Sequence, residues 1–156
     1  MVMVAEEKRA HEVAVQLYYE DTDFSGFVHH ANFLRYFERG RDEMIGLPVL
    51  KCLAQDDSSS SSSATSIGGG EPPVSLFVHK VHELSFKGRA RHGEMLVVRS
   101  RVVKESDFRL RFAHEAWVGN TLVASGSMDV VFLCGSVDAR LVKIPNSVDV
   151  ALHGYY

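Results

Sequence analysis

A single helical stripe stands against four long strand patterns in this chain of 156 residues, and that imbalance leaves few folds open. Between Ala31 and Ile45, Ala31, Leu34, Phe37 and Arg41 recur at helical spacing, while Phe33, Met44 and Ile45 widen the apolar side. At about 1.5 Å per residue the segment reaches about 22 Å, enough to cross a small sheet. Gly40 within it costs about 1 kcal/mol of helix propensity relative to alanine, which points to a close approach of another element there. Gly46 and Pro48 supply the stop.

The strand patterns lie on either side. Val13 to Tyr19 alternates, with Val13, Val15, Leu17 and Tyr19 on one face. After Pro73 the chain reads as strand: Val74 to Phe86, ending at the turn Lys87-Gly88, then Met95 to Val103, Phe108 to Val118 and Thr121 to Leu133. Gly119-Asn120 is a two-residue hairpin signal between the last two. Phe108, Leu110, Phe112, His114 and Ala116 share one face, and Leu141 to Ile144 adds a short edge piece before Pro145. Consecutive strands joined by short turns are expected to be antiparallel neighbours. Neither helix nor sheet can bury its apolar side alone, so the expected fold is α+β, an antiparallel sheet of about five strands wrapped around one long central helix.

Between helix and strands, Leu50 to Pro73 carries six consecutive serines and three consecutive glycines. With almost nothing to bury, it reads as a mobile surface loop at about 51–73, inserted within a single domain spanning 1–156; an inert linker and a lid near a site both fit it. Met1 to Glu12 reads as a poorly ordered lead-in. The net charge of −3 offers no basic field for nucleic acid, and no apolar run approaches the ~20 residues of a membrane span. Cys52 and Cys134 are too few for a disulfide framework and lack metal-ligand spacing. The N-terminus has no signal-like apolar region, so the default location is the cytoplasm, with both thiols reduced.

Chemistry-bearing residues concentrate in Tyr18 to Arg41, YYEDTDFSGFVHHANFLRYFERGR. A strand end leads into a turn with Asp21, Asp23 and the flexible Gly26, then into His29, His30 and the helix. A carboxylate facing a helix N-terminus is a catalytic geometry, because unpaired N–H groups there can meet charge developing on a substrate. The same aspartates equally suit turn formation and capping. Adjacent histidines without HxH or HExxH spacing give no metal site. Lys87, Arg89, Arg91 and His92 crowd one turn, which suits either phosphate binding or a solvated charged surface.

Those 24 positions closely resemble the signature of hotdog-fold acyl-CoA thioesterases of the 4-hydroxybenzoyl-CoA thioesterase type, most of all the branch associated with the bacterial Tol–Pal system. The matching residues are Tyr18 to Asp23, Gly26, Val28, His30 to Phe33, Phe37 to Arg39 and Arg41. A looser match continues through Leu84 to Lys87, Ala90, Gly93 to Val98 and Lys143 to Pro145. The resemblance implies a sheet wrapped around one helix and hydrolysis of an acyl-CoA thioester without cofactor or metal. It places the catalytic carboxylate on Asp23, the backbone oxyanion donor on His30 and a further implicated position on Tyr19. Asp23 would act as a nucleophile, giving a mixed anhydride, or as a general base on water. Gly26, Val28 and His29 around the turn, with Phe86, Lys87, Arg89 and Arg91, are the candidate substrate contacts. Glu38 is a second carboxylate of catalytic type, but pairing with Arg39 or Arg41 is the favoured reading. The family's sites lie between subunits, so a homodimer or homotetramer is implied. An enoyl-thioester hydratase is the alternative on the same fold, although its motif places Asn-Pro where Phe24-Ser25-Gly26 stand; a non-catalytic acyl-CoA-binding domain is another.

Overall fold

Period-two burial builds the strands. In a computed structural model that describes residues 9–54, 73–135 and 138–156, strand β1 (His11–Gln16) buries Val13 and Val15 and leaves Glu12, Ala14 and Gln16 outside. Strands β2 (Val74–Phe86), β3 (Met95–Ser106), β4 (Arg109–Val118), β5 (Thr121–Cys134) and the short β6 (Arg140–Val142) complete an antiparallel sheet in the order β1-β3-β4-β5-β2, with β6 also on β5. Helix α1 (Asn32–Ile45) packs across β1, β3 and β4. It buries Phe33, Tyr36, Phe37, Gly40, Arg41, Met44 and Ile45, whereas Ala31 and Leu34 of the expected stripe are exposed. The curled sheet meets the helix along a line through Phe33, Phe37, Gly40 and Met44.

That line explains two glycines. A Cβ on Gly40 would stand 2.6 Å from Ser100 Oγ and 3.0 Å from Val98 Cγ1, so the helix touches β3 there, as its cost in propensity foretold. A Cβ on Gly126 would stand 2.9 Å from the Phe37 ring. Ser100 cannot turn aside without losing its hydrogen bond to His114 Nδ1, at 2.8 Å. Gly40→Ala is therefore expected to lower stability by about 1–3 kcal/mol despite the better helix former, measured by urea unfolding. A gain in stability would mean that β3 yields to the methyl group.

Several expectations change. Tyr19 leaves the β1 face and is 81% exposed, because the chain turns sharply at Tyr19–Asp21. Gly46, with φ +100, does end α1, but a second helix, α2 (Leu47–Ala54), starts at once. Pro48 sits in its first turn, where a missing N–H costs nothing. Of the expected loop at 51–73, positions 51–54 belong to α2, Pro73 stands just before β2, and 55–72 lie outside the described residues. A third helix, α3 (Asn146–Leu152), buries Val148 and Leu152 one turn apart. Among the described residues no helix is long and apolar enough to cross a membrane.

The link between β2 and β3 matters most. These strands are not neighbours: β2 pairs with β5, and β3 lies between β1 and β4. Residues 87–94 are too long for a tight turn, and their backbone binds elsewhere. Val28 N–H donates to Ala90 O (2.8 Å), Gly93 N–H to Leu17 O (2.8 Å) and Leu17 N–H to Glu94 O (3.0 Å). The basic turn is thereby fastened under the acidic one.

Candidate active site

Asp21 shapes the turn. Its carboxylate accepts the N–H of Tyr18 (2.8 Å), and its carbonyl accepts both the N–H of His29 (2.9 Å) and Nδ2 of Asn32 (2.8 Å). Asn32, the first residue of α1, thus clamps the turn onto the helix, a role that sequence reading missed. Burial, with the Asp21 carboxylate beside it, pushes the Tyr36 phenol well above its usual range.

Asp23 sits at the tip, exposed. Its Oδ1 accepts Ser25 Oγ–H (2.6 Å) and Ser25 N–H (2.8 Å), and these bonds hold its carboxyl below the ordinary 3.8, with His29 and His30 adding to the effect. The carboxylate is ionised, and Oδ2 accepts from no other described residue. Gly26 closes the turn with φ +78 and donates its N–H to Asp23 O (2.9 Å); an L side chain there would be strained. Thr22 and Val28 bridge the base of the loop. Ser25 was another residue missed, although Asp-x-Ser is a pattern that bonds its own backbone two residues on.

The helix start leaves one donor open. His29 N–H is bound to Asp21 O, Ala31 N–H to His29 Nδ1 (3.2 Å), and the N–H groups of Asn32 and Phe33 to the carbonyls of His29 and His30. The N–H of His30 donates to no other described residue. Ala31, in the N-cap position, offers no side-chain cap, so the positive end of α1 stays uncovered. The His29 ring, whose Nδ1 accepts the Ala31 N–H, stacks on the His30 ring at 4.3 Å. His30 meets Phe86 edge-on at 6.1 Å, and Phe86 rests on Phe33 at 5.8 Å.

The basic turn lies beside this loop in the same chain. The guanidinium carbons of Arg89 and Arg91 stand 4.8 and 4.9 Å from the centre of the Phe27 ring. Lys87 is exposed, its N–H bound to Val123 O (2.8 Å). His92 faces Tyr19 at 6.2 Å between ring centres. The Val28 side chain packs into the core and its N–H is engaged by Ala90, so this residue anchors the loop. Tyr19 extends toward His92. Glu38 lies about 12 Å along α1 from His30 and pairs with Arg41 at 3.6 Å, not with Arg39. Arg39 instead lies over the Tyr36 ring.

An exposed, ionised carboxylate, an open backbone donor on a helix end and two guanidinium groups therefore share one surface. Over 139 residues the chain is 28% identical to the acyl-CoA thioesterase YbgC of Haemophilus influenzae, covering 89% of this chain and 91% of that protein. A probable thioesterase from Bartonella henselae superposes with a TM-score of 0.72 at 21% identity, over 88% of this chain and 100% of that one. A 4-hydroxybenzoyl CoA thioesterase mutant complexed with 4-hydroxybenzoyl CoA superposes with a TM-score of 0.72 at 12% identity, over 92% of this chain and 98% of that one. Both share the sheet wrapped around a helix. The thioesterase-like superfamily matches residues 18–152, from the first tyrosine of the acidic turn to the last residue of α3, and the chain belongs to that family.

Proposed function

We propose that this protein hydrolyses an acyl-CoA thioester to the free acid and coenzyme A. The observation that carries the reading is the ionised, solvent-facing Asp23 carboxylate next to a helix end whose His30 N–H is unclaimed. The thioester carbonyl oxygen takes that N–H, which stabilises the tetrahedral oxyanion; losing one such donor typically costs about 2.7–4 kcal/mol of transition-state stabilisation. Asp23 draws a proton from water as the water oxygen bonds to the carbonyl carbon, or attacks that carbon itself to form a mixed anhydride that water then opens. In both routes the C–S bond breaks, the sulfur leaves as thiolate and takes up a proton, and Asp23 ends as carboxylate.

Arg89, Arg91 and Lys87 receive the phosphates of the nucleotide portion, and Phe86 with His29 walls the entry. The open edge of β2 pairs with a second copy, which supports a dimer or a dimer of dimers. The reading keeps the protein in the cytoplasm, where acyl-CoA is at hand.

Thiol release from short, long and aromatic acyl-CoAs tests this. At least one is expected to turn over, and silence across the panel overturns the reading. Arg89→Ala with Arg91→Ala is expected to raise KM about tenfold or more for that acyl-CoA, in keeping with loss of charge-assisted phosphate contacts. A truncated thioester without the nucleotide should show no such change; equal effects on both would remove the basic turn from phosphate binding.

A further inference from the structure

Helix α1 packs on β1, β3 and β4, and a groove opens between its Leu34–Arg41 side and the middle of β2. It encloses about 220 Å³ between Leu34, Arg35, Glu38 and Arg41 on one side and Val78, Val81 and Met128 on the other. Leu34 lies one helical turn beyond His30, so the groove runs on from the point where the thioester carbonyl would sit. Leu34, Val78, Val81 and Met128 give it apolar walls, with the Arg35 side chain at its margin. Its far part is charged: Glu38 and Arg41 lie about 12 and 16 Å from His30 along the helix axis.

Arg41 is unusual there. Its side chain is 3% exposed, yet the carboxylates of Glu38 and Asp42 stand 3.6 and 3.5 Å away, longer than the ~2.7–2.9 Å of a charge-assisted hydrogen bond. Its Nε has no hydrogen-bond partner, and one terminal nitrogen meets only the Met128 sulfur, at 3.8 Å. A plain hydrocarbon end pressed into this corner would strip water from the Glu38 carboxylate, which is 60% exposed, and offer nothing in return. A hydroxyl group would accept from Arg41 and donate to Glu38. A carboxylate would suit Arg41 but face the Glu38 charge.

We infer that the groove selects acyl-CoA substrates whose aliphatic chain carries a hydroxyl group near its far end, read by Arg41 and Glu38. This rests on the thioester hydrolase reading and names its substrate class. The experiment compares ω-hydroxydodecanoyl-CoA with dodecanoyl-CoA by thiol release, on the native protein and on Glu38→Leu and Arg41→Met. The native protein is expected to favour the hydroxylated chain in kcat/KM by about ten- to hundredfold, the range of a hydrogen bond to a charged group. In each variant that ratio is expected to fall toward one. Because the ratio is internal, partial loss of folded protein does not alter it.

Equal or lower kcat/KM for the hydroxylated chain in the native protein overturns the inference and leaves the hydrolase reading intact. Calorimetry with non-hydrolysable thioether analogues of the two chains measures the same preference without turnover. Absence of hydrolysis then sinks the hydrolase reading alone, and equal affinities of the two analogues sink the groove assignment.

Discussion

Replacing Asp23 with Asn is expected to lower acyl-CoA hydrolysis at least a hundredfold, the lower end of general-base contributions, with the fold unchanged by circular dichroism. The substitution is nearly isosteric. The amide oxygen can still accept the Ser25 N–H and hydroxyl that hold the loop, so only charge and basicity are lost. Asp21→Asn is the control, since Asp21 caps Tyr18 and carries the clamp to Asn32 without reaching the tip. It is expected to cost about 1 kcal/mol of stability and far less activity. Full activity in Asp23→Asn would remove this residue from the chemistry and make Glu38 the next to test.

The pH profile gives a second reading of the same group. Ser25 keeps the Asp23 carboxyl below 3.8, so the carboxylate persists through the weakly acidic range and activity should show no Asp23 limb there. In Ser25→Ala the two stabilising bonds are reduced to one, the carboxyl rises, and the acid limb should move to higher pH. An unmoved limb would show that Asp23 does not set it.

Stability is expected to fall by up to about 5 kcal/mol as the pH drops from 6.5 toward 3, because of one histidine in the core. His114 is 1% exposed, stacked between Phe37 at 5.1 Å and Phe112 at 5.9 Å, with Nδ1 bonded to Ser100 Oγ. Burial, and then the Arg41 charge, push it down from 6.5 to about 3. The folded value is depressed, so between these limits the unfolded chain takes up a proton that the folded chain refuses. The contribution is therefore complete above pH 6.5 and lost on acidification. Urea unfolding should show a loss of roughly 2–3 kcal/mol between pH 7 and 4.5. The double variant His114→Phe with Ser100→Ala removes the titrating group without orphaning the hydroxyl, and its slope over that interval should be flatter by the same amount. An identical slope in both proteins would refute the assignment.

The architecture of the candidate site was legible in part because its instructions are local. The order strand, acidic turn, histidine pair, helix is written in consecutive residues, and Gly26 and Asp21 act through bonds that span at most eleven positions. The loss of propensity at Gly40 announced a contact without saying with what. Helices α2 and α3 went unseen: Pro48 looked like a stop although it opens a helix, and seven residues of α3 carry only Val148 and Leu152 as a pattern.

Chain-local physics thus determined the elements, namely alternation for the strands, helical spacing for α1, and a glycine at positive φ for the acidic turn. Residues far apart in the chain decided the rest. The pairing of β2 with β5 joins segments some 40 to 60 residues apart, and it turns residues 87–94 from a hairpin into the link that seats Arg89 and Arg91 beside Phe27. The same pairing leaves a gap beside α1 in which Glu38 and Arg41 stand some way from Asp23, so a second carboxylate that resembles a catalytic one in sequence becomes a groove residue in space. Periodicity is set by a residue's neighbours in the chain; burial, pairing and the charge around a group are set by neighbours that only folding supplies.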